Sequence, residues 1–162
     1  MQNAKDTFYL MLRDRLARSN PARTIALRGV LRPASLVEEN ELVSAQTPVD
    51  TFSLRWTGMR VDEQGLIRLE CEIRYCTDGS TGHGSMDRGR LLAAMDGELL
   101  AAVNAAPQNV AKRAFAIDPA GTVTATKVFW GDVIFIATTI EGERLSRVAT
   151  VEVFTCQEAG EL

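Results

Sequence analysis

The sequence has one histidine, three cysteines and five prolines, and each scarcity closes off a class of function. A structural zinc site needs a cluster of sulfur and nitrogen ligands, and a single His83 with Cys71, Cys76 and Cys156 in no CxxC spacing does not supply one. An odd number of cysteines without close pairs is not a disulfide framework. Cys71 and Cys76 are an odd number of residues apart, so on one strand they face opposite ways. The three read as small strand residues in a reduced compartment. No apolar run approaches the ~20 residues that span a bilayer. The opening Met-Gln-Asn-Ala-Lys-Asp lacks the apolar centre of a signal peptide, so assembly in the cytoplasm is expected, with no membrane partner. There is also no basic excess. The net charge is −3, and whole-chain electrostatics argue against a nucleic-acid binder.

What is present is ordinary globular composition, 46% apolar and 24% charged. The length of 162 residues suits one domain over residues 1–162, able to bury a core without disulfide or metal support. Residues 66–103 organise it. Ile67, Leu69, Cys71, Ile73 and Tyr75 alternate with Arg68, Glu70, Glu72 and Arg74, the period-two signature of a half-buried strand. A glycine-rich loop over 78–85 follows. Leu92, Met95, Leu99 and Val103 then recur at helical spacing within a helix over 87–104.

The rest falls around that stretch. Phe8, Met11, Leu12 and Leu16 predict an amphipathic helix over 6–18, capped by Asp6 or Thr7 and ended at Ser19-Asn20-Pro21. A short strand is expected within 24–31. Residues 33–49 read as a long connection with at most one helical turn, either a partner-contacting arm or a covered loop. Residues 50–61, with Phe52, Leu54 and Trp56 alternating, form a hairpin with the central strand through Asp62-Glu63-Gln64-Gly65. The helix over 87–104 carries Ala93, Ala94, Ala101 and Ala102, a surface that permits close approach of the sheet or of a second subunit. Residues 108–121 read as irregular, 122–129 and 133–139 as strands, and 145–156 as the last strand. The end, 157–162, is acidic and expected to fray. The fold class is therefore α+β, a mainly antiparallel sheet of two β-hairpins plus a short strand, with two helices packed on one face.

The glycine-rich loop invites a phosphate-binding reading, but it lacks the Gly-Lys-Ser/Thr ending of a P-loop. Gly82-His83-Gly84-Ser85-Met86-Asp87 lacks the last glycine of a dinucleotide fingerprint and puts an acid there. A flexible loop in which Ser85 or Asp87 caps the next helix fits better. His83 has no evident Ser, Cys or carboxylate partner in sequence, which favours a solvated residue over a catalytic base. No catalytic, cofactor-binding or metal-ligating residue is expected.

The order helix, strand, long loop, hairpin, helix, hairpin runs through "TFYLMLRDRLA" at the front, "GRLLAAMDGELLAAV" in the middle and "VFWGDVIFIATTIEGERLSRVATVEVFT" at the end. In that order of elements the chain resembles the tail terminator and tail-completion proteins of tailed bacteriophages. The resemblance implies a virion protein assembled in the host cytoplasm. It also implies a homo-oligomeric ring, usually a hexamer, that caps the tail tube and presents a surface to the neck or head connector. It implies no catalytic residue and no cofactor. The expected subunit or partner contacts are Asp78, Gly79, Gly82, His83 and Gly84 in the glycine-rich loop. Glu38, Glu39, Glu41, Arg28 and Arg32, in or beside the long connection, complete the set. Three other readings stand beside it. One is a neck or head–tail joining protein. Another is a small enzyme using His83, Asp78 and Asp87 with Arg88 and Arg90. The last is a nucleic-acid module using Arg13, Arg15, Arg18, Arg23, Arg28 and Arg32, which a ring passing DNA through its lumen could share without sequence preference.

Overall fold

The computed structural model describes residues 1–33, 35–42, 48–158 and 161. Two α-helices and a mostly antiparallel sheet make it an α+β fold. Helix α1 covers Gln2–Ser19 and α2 covers Arg88–Asn104. The strands are β1 Thr24–Leu27, β2 Val30–Pro33, β3 Leu36–Glu38, β4 Phe52–Val61, β5 Leu66–Thr77, β6 Asn109–Ala114, β7 Thr122–Trp130, β8 Ile134–Phe135, β9 Thr139–Glu141 and β10 Arg144–Cys156. The main sheet runs β3-β4-β5-β10-β7-β6, with β8 and β9 also paired to β10. Among the described residues only β3 and β4 pair in parallel. β1 and β2 stand apart as a sheet of their own.

The sheet is larger than two hairpins plus a strand, for local reasons. Residues 109–114 form β6 where irregular structure is expected, because Lys112 occupies the inward position between Val110 and Ala114 and hides the alternation. Lys112 is fully buried, its ammonium donating to the Cys156 carbonyl (2.8 Å) and pairing with Glu161 (2.6 Å). Residues 24–33 make a hairpin instead of one strand, because Arg28 (φ 49°) and Gly29 (φ 79°) both adopt the left-handed conformation of a two-residue turn. The apolar run 133–139 yields only the two-residue β8, followed by β9. The long connection at 33–49 contains β3 and a 3-10 turn at Glu39–Glu41, while positions 34 and 43–47 lie outside the described residues.

The core lies between the helices and the inner face of the sheet. Ile67, Leu69, Cys71, Ile73 and Tyr75 are all buried, as their alternation requires, and β10 adds Ala149, Val151 and Val153. Leu92, Met95, Leu99 and Val103 bury the matching stripe of α2. Phe8 of α1 sits edge-on to Trp56 and to Trp130, with ring centroids 6.0 and 5.6 Å apart, and so ties both ends of the sheet to one helix. Cys76 is buried too, although it faces away from Cys71, because residue 48 covers that end of β5. Burial pushes the Cys71 thiol up to about 12 and keeps it inert.

Several end effects depart from expectation. α1 begins at Gln2, so neither Asp6 nor Thr7 caps it. Thr7 is buried instead, donating to the Asn3 carbonyl (2.6 Å) and accepting from the Arg113 N–H (3.0 Å). The end of α2 is capped from α1: Arg15 donates to the carbonyls of Ala102 (3.0 Å), Ala105 (2.7 Å) and Pro107 (2.7 Å). The described C-terminal residues are tethered, against the expected fraying. Glu158 accepts from the Thr126 N–H (2.8 Å) and hydroxyl (2.6 Å), and Glu161 pairs with buried Lys112. Ala93, Ala94 and Ala101 are exposed and do not meet the sheet; only Ala102 of that set is buried.

Candidate functional site

The glycine-rich loop joins β5 to α2 through a short 3-10 turn at Thr81–His83. Gly79 takes φ +78°, and a β-carbon there would sit 2.7 Å from Ser85 Cα, so the loop folds tightly on itself at that point. Asp87 occupies the position before α2 but makes no side-chain cap. Its carboxylate accepts from the Ser80 N–H (2.9 Å) and from the Ser80 hydroxyl (2.7 Å), which together hold it below the usual carboxylate range. Ser85, at φ 63°, does not cap either.

His83 therefore has partners that sequence reasoning missed. Its Nδ1 lies 2.8 Å from Ser80 Oγ and 3.7 Å from Asp87 Oδ2. The spacing Ser-x-x-His-x-x-x-Asp within one turn was the signal that could have found them. The geometry differs from an acyl-transfer triad in a decisive way. There the serine proton points at one imidazole nitrogen and the carboxylate meets the other. Here serine and aspartate share Nδ1, and the Ser80 proton is directed to Asp87. The cluster ties the loop together.

The other loop residues point elsewhere. Asp78 pairs with Arg144 (2.9 Å), whose guanidinium holds its carboxyl low. Arg88 donates to the Glu143 carbonyl (2.6 Å). The loop base is thus pinned to the β9–β10 turn. Asp78, Asp87, Arg88 and His83 do not converge on one point. Gly82, His83 and Gly84 form the exposed tip.

The early contact residues divide the same way. Glu38 accepts from Trp56 Nε1 (3.1 Å), Glu39 pairs with Arg55 (3.3 Å), and Glu41 pairs with Arg32 (2.7 Å). Tyr9 is hydrogen-bonded to both Arg32 and Glu41, and burial with the Glu41 bond pushes its phenol up to about 12. Arg28 alone of this group projects from the turn of β1–β2 without an ion pair among the described residues. Of the N-terminal arginines, Arg15 and Arg23 are likewise engaged inside the chain, Arg23 with Glu98 (2.9 Å). Arg13, Arg18 and Arg113 remain together around one surface pocket, with Asp14 among them.

Two kinds of surface remain. One is a groove of about 500 Å³ on the outer sheet face, lined by Glu70, Glu72, Asp132, Glu152 and Ile134 among others. The other is exposed apolar surface, found on β4 (Met59, Val61), on β7 (Val123, Phe129), at Met86 before α2 and, as two groups, on β2 and around β8 and β9. Val30 and Leu31 on β2 are 61% and 69% exposed, and Ile134, Ile136 and Ile140 around β8 and β9 are 66%, 48% and 68% exposed. Among the described residues no cluster of His, Cys, Asp and Glu has the geometry to hold a metal ion, and no helix is long and apolar enough to cross a membrane. The chain matches no protein-family model and no curated protein sequence.

Proposed function

We propose that this chain is the subunit of a homo-oligomeric ring, a hexamer in the first instance, that caps the tail tube of a tailed bacteriophage. The ring ends tube polymerisation and offers its other side to the head connector, as part of the virion. The observation that supports a self-assembling subunit is the placement of exposed apolar residues. Val30 and Leu31 lie beside one edge of the sheet, and Ile134, Ile136 and Ile140 lie beyond β10 on the other. Surfaces of that kind mark protein contacts when they are contiguous and unshielded. Two unlike surfaces on one chain that fit each other produce head-to-tail contacts, which form a ring where the rotation between copies closes and a filament where it does not. The assignment to a tail rests on the resemblance in element order. DNA enters this reading only as non-specific passage through the lumen.

The test adds purified protein to polymerising tail-tube subunits and measures tube lengths by electron microscopy. The reading predicts shorter tubes with a ring at one end. Tubes of unchanged length with bare ends contradict it. Rings that bind portal or connector and ignore tubes would favour a neck or head–tail joining protein.

The enzyme reading draws on the Ser80–His83 contact. If it is right, His83→Ala abolishes a measurable turnover in a hydrolase substrate screen. In the ring reading no turnover is found and the substitution changes stability by less than about 0.5 kcal/mol, since His83 is exposed.

A further inference from the structure

We infer that the β1–β2 hairpin is an arm that docks on the β8–β9 edge of a second copy of this chain. This rests on the ring reading above and names its contact.

The arm is a two-stranded sheet paired with nothing else among the described residues. A lone hairpin is at best marginally stable in water, so one that leaves apolar side chains open is a surface waiting to be covered. Val30 and Leu31 are the open positions. The base of the arm is fixed while its tip is free. Arg32 donates to Glu41 (2.7 Å), to the Tyr9 hydroxyl and to the Leu36 carbonyl (3.4 Å), which holds the arm beside β3, the edge strand of the main sheet. The direction is thereby set before any partner arrives.

The receiving edge lies across the sheet. β5 runs along one side of β10 for its full length, from Leu145 to Cys156. The other side is covered in pieces: β9 at residues 144–146, β8 at 149–150 and β7 at 153–155. β8 and β9 pair with β10 and with no other strand among the described residues, so their outer backbone groups form an open edge. Open edges are templates for strand addition unless charge or proline blunts them. This one has no proline and three exposed apolar positions, Ile134, Ile136 and Ile140; its charges are Glu141 at the end of β9 and Arg147, which donates to the Ile136 carbonyl (3.0 Å). The unpaired charge at it is acidic: Asp132, Glu141 and Glu143 are exposed, whereas Arg144 and Arg147 of β10 are already paired with Asp78 and Asp96. The arm brings the opposite sign, since Arg28 stands at its turn. Apolar surface therefore meets apolar surface, and the single tip cation meets an acidic rim.

The occupant is a second copy because donor and acceptor lie on opposite edges of the same sheet. An arm folding back would have to cross β4, β5 and β10 to reach its own edge. The contact is heterologous, so each copy gives one arm and receives one.

The test uses full-length chains carrying one damaged surface each. Val30→Ser with Leu31→Ser blunts the arm, and Ile134→Ser with Ile136→Ser blunts the edge. Sedimentation velocity is run on each variant and on their equimolar mixture, with circular dichroism to verify the fold. Each variant alone is expected to be monomeric. The mixture is expected to give a one-to-one dimer and nothing larger, because it contains one intact arm and one intact edge. Arg28→Glu is expected to weaken wild-type association about tenfold at low salt, with the loss shrinking at high salt. If both variants assemble like wild type, the arm contact is wrong and the ring reading stands. If both are monomeric and the mixture is too, the two surfaces do not meet each other, and the inference fails. A wild-type chain that stays monomeric with and without tail tubes overturns the inference and the ring reading together. If a serine variant misfolds, the milder Leu31→Ala and Ile134→Ala replace the pairs, with the same dimer expected from the mixture.

Discussion

β4–β5 and β1–β2 are both antiparallel hairpins whose turns contain a glycine at positive φ, Gly65 at +80° and Gly29 at +79°. In β5 every second residue from Ile67 to Tyr75 is buried under the helices. In β2 Val30 and Leu31 are 61% and 69% exposed, and among the described residues no strand but β1 pairs with it. The local chemistry of the two hairpins is alike. What separates them is whether the chain contains the surface that covers them. The first hairpin is covered by its own fold, and under the proposal above the second is covered by another copy.

The sharpest contrast comes from the same kind of change in both hairpins. Leu69→Ala in the buried one leaves a cavity and should cost about 3 kcal/mol, read as a shift in the urea midpoint. An unchanged midpoint would break the comparison at its stronger end. Gly79→Ala probes the junction between the buried hairpin and α2. It combines φ +78° with a 2.7 Å approach to Ser85 Cα, and a loss of about 2 kcal/mol is expected. The charges follow the same division, since those of the C-terminal tether are partnered within the chain while Arg28 has no ion pair among the described residues. Hydrogen bonds from Thr124 and Thr126 draw the Glu158 carboxyl down from 4.5 to about 2. A carboxyl whose pKa is lower in the folded state stabilises above its unfolded value and ceases to do so as pH falls through its folded value. The melting-temperature advantage of wild type over Glu158→Gln should therefore be full above about pH 5 and vanish toward about pH 2. A difference that grows on acidification would contradict that assignment. The smallest effect on the isolated chain is predicted for Leu31→Ser. It should change monomer stability by less than about 0.5 kcal/mol while reducing assembly, which mass photometry can follow.

How much of this was legible in the sequence depended on where each partner lay. The β4–β5 hairpin and α2 could be read directly, because their alternation and helical spacing reflect burial against the chain itself. β6 could not, since the buried position in its middle is a lysine whose partners lie more than forty residues away, at Cys156 and Glu161. The tether of the C-terminus was hidden for the same reason: acidic composition suggests solvent until the cation is located. The apolar run 133–139 overstated its strand because β-propensity cannot tell a paired stretch from an exposed one. At the glycine-rich loop, the backbone punctuation was visible but the Ser80–Asp87 bonds that replace a helix cap were not. The assignment of Asp78, Glu38, Glu39, Glu41 and Arg32 to contacts rested on their place in or beside the two long loops; that each also has a partner inside the chain could not be read from the loops' sequence.

The central claim is that this chain leaves surface for copies of itself to cover. Native mass spectrometry of the purified protein, alone and after incubation with tail tubes, tests it most directly. The account predicts a discrete closed species at a whole multiple of the chain mass, with six the expected multiple. A chain that remains monomeric at every concentration, with and without tubes, would contradict it.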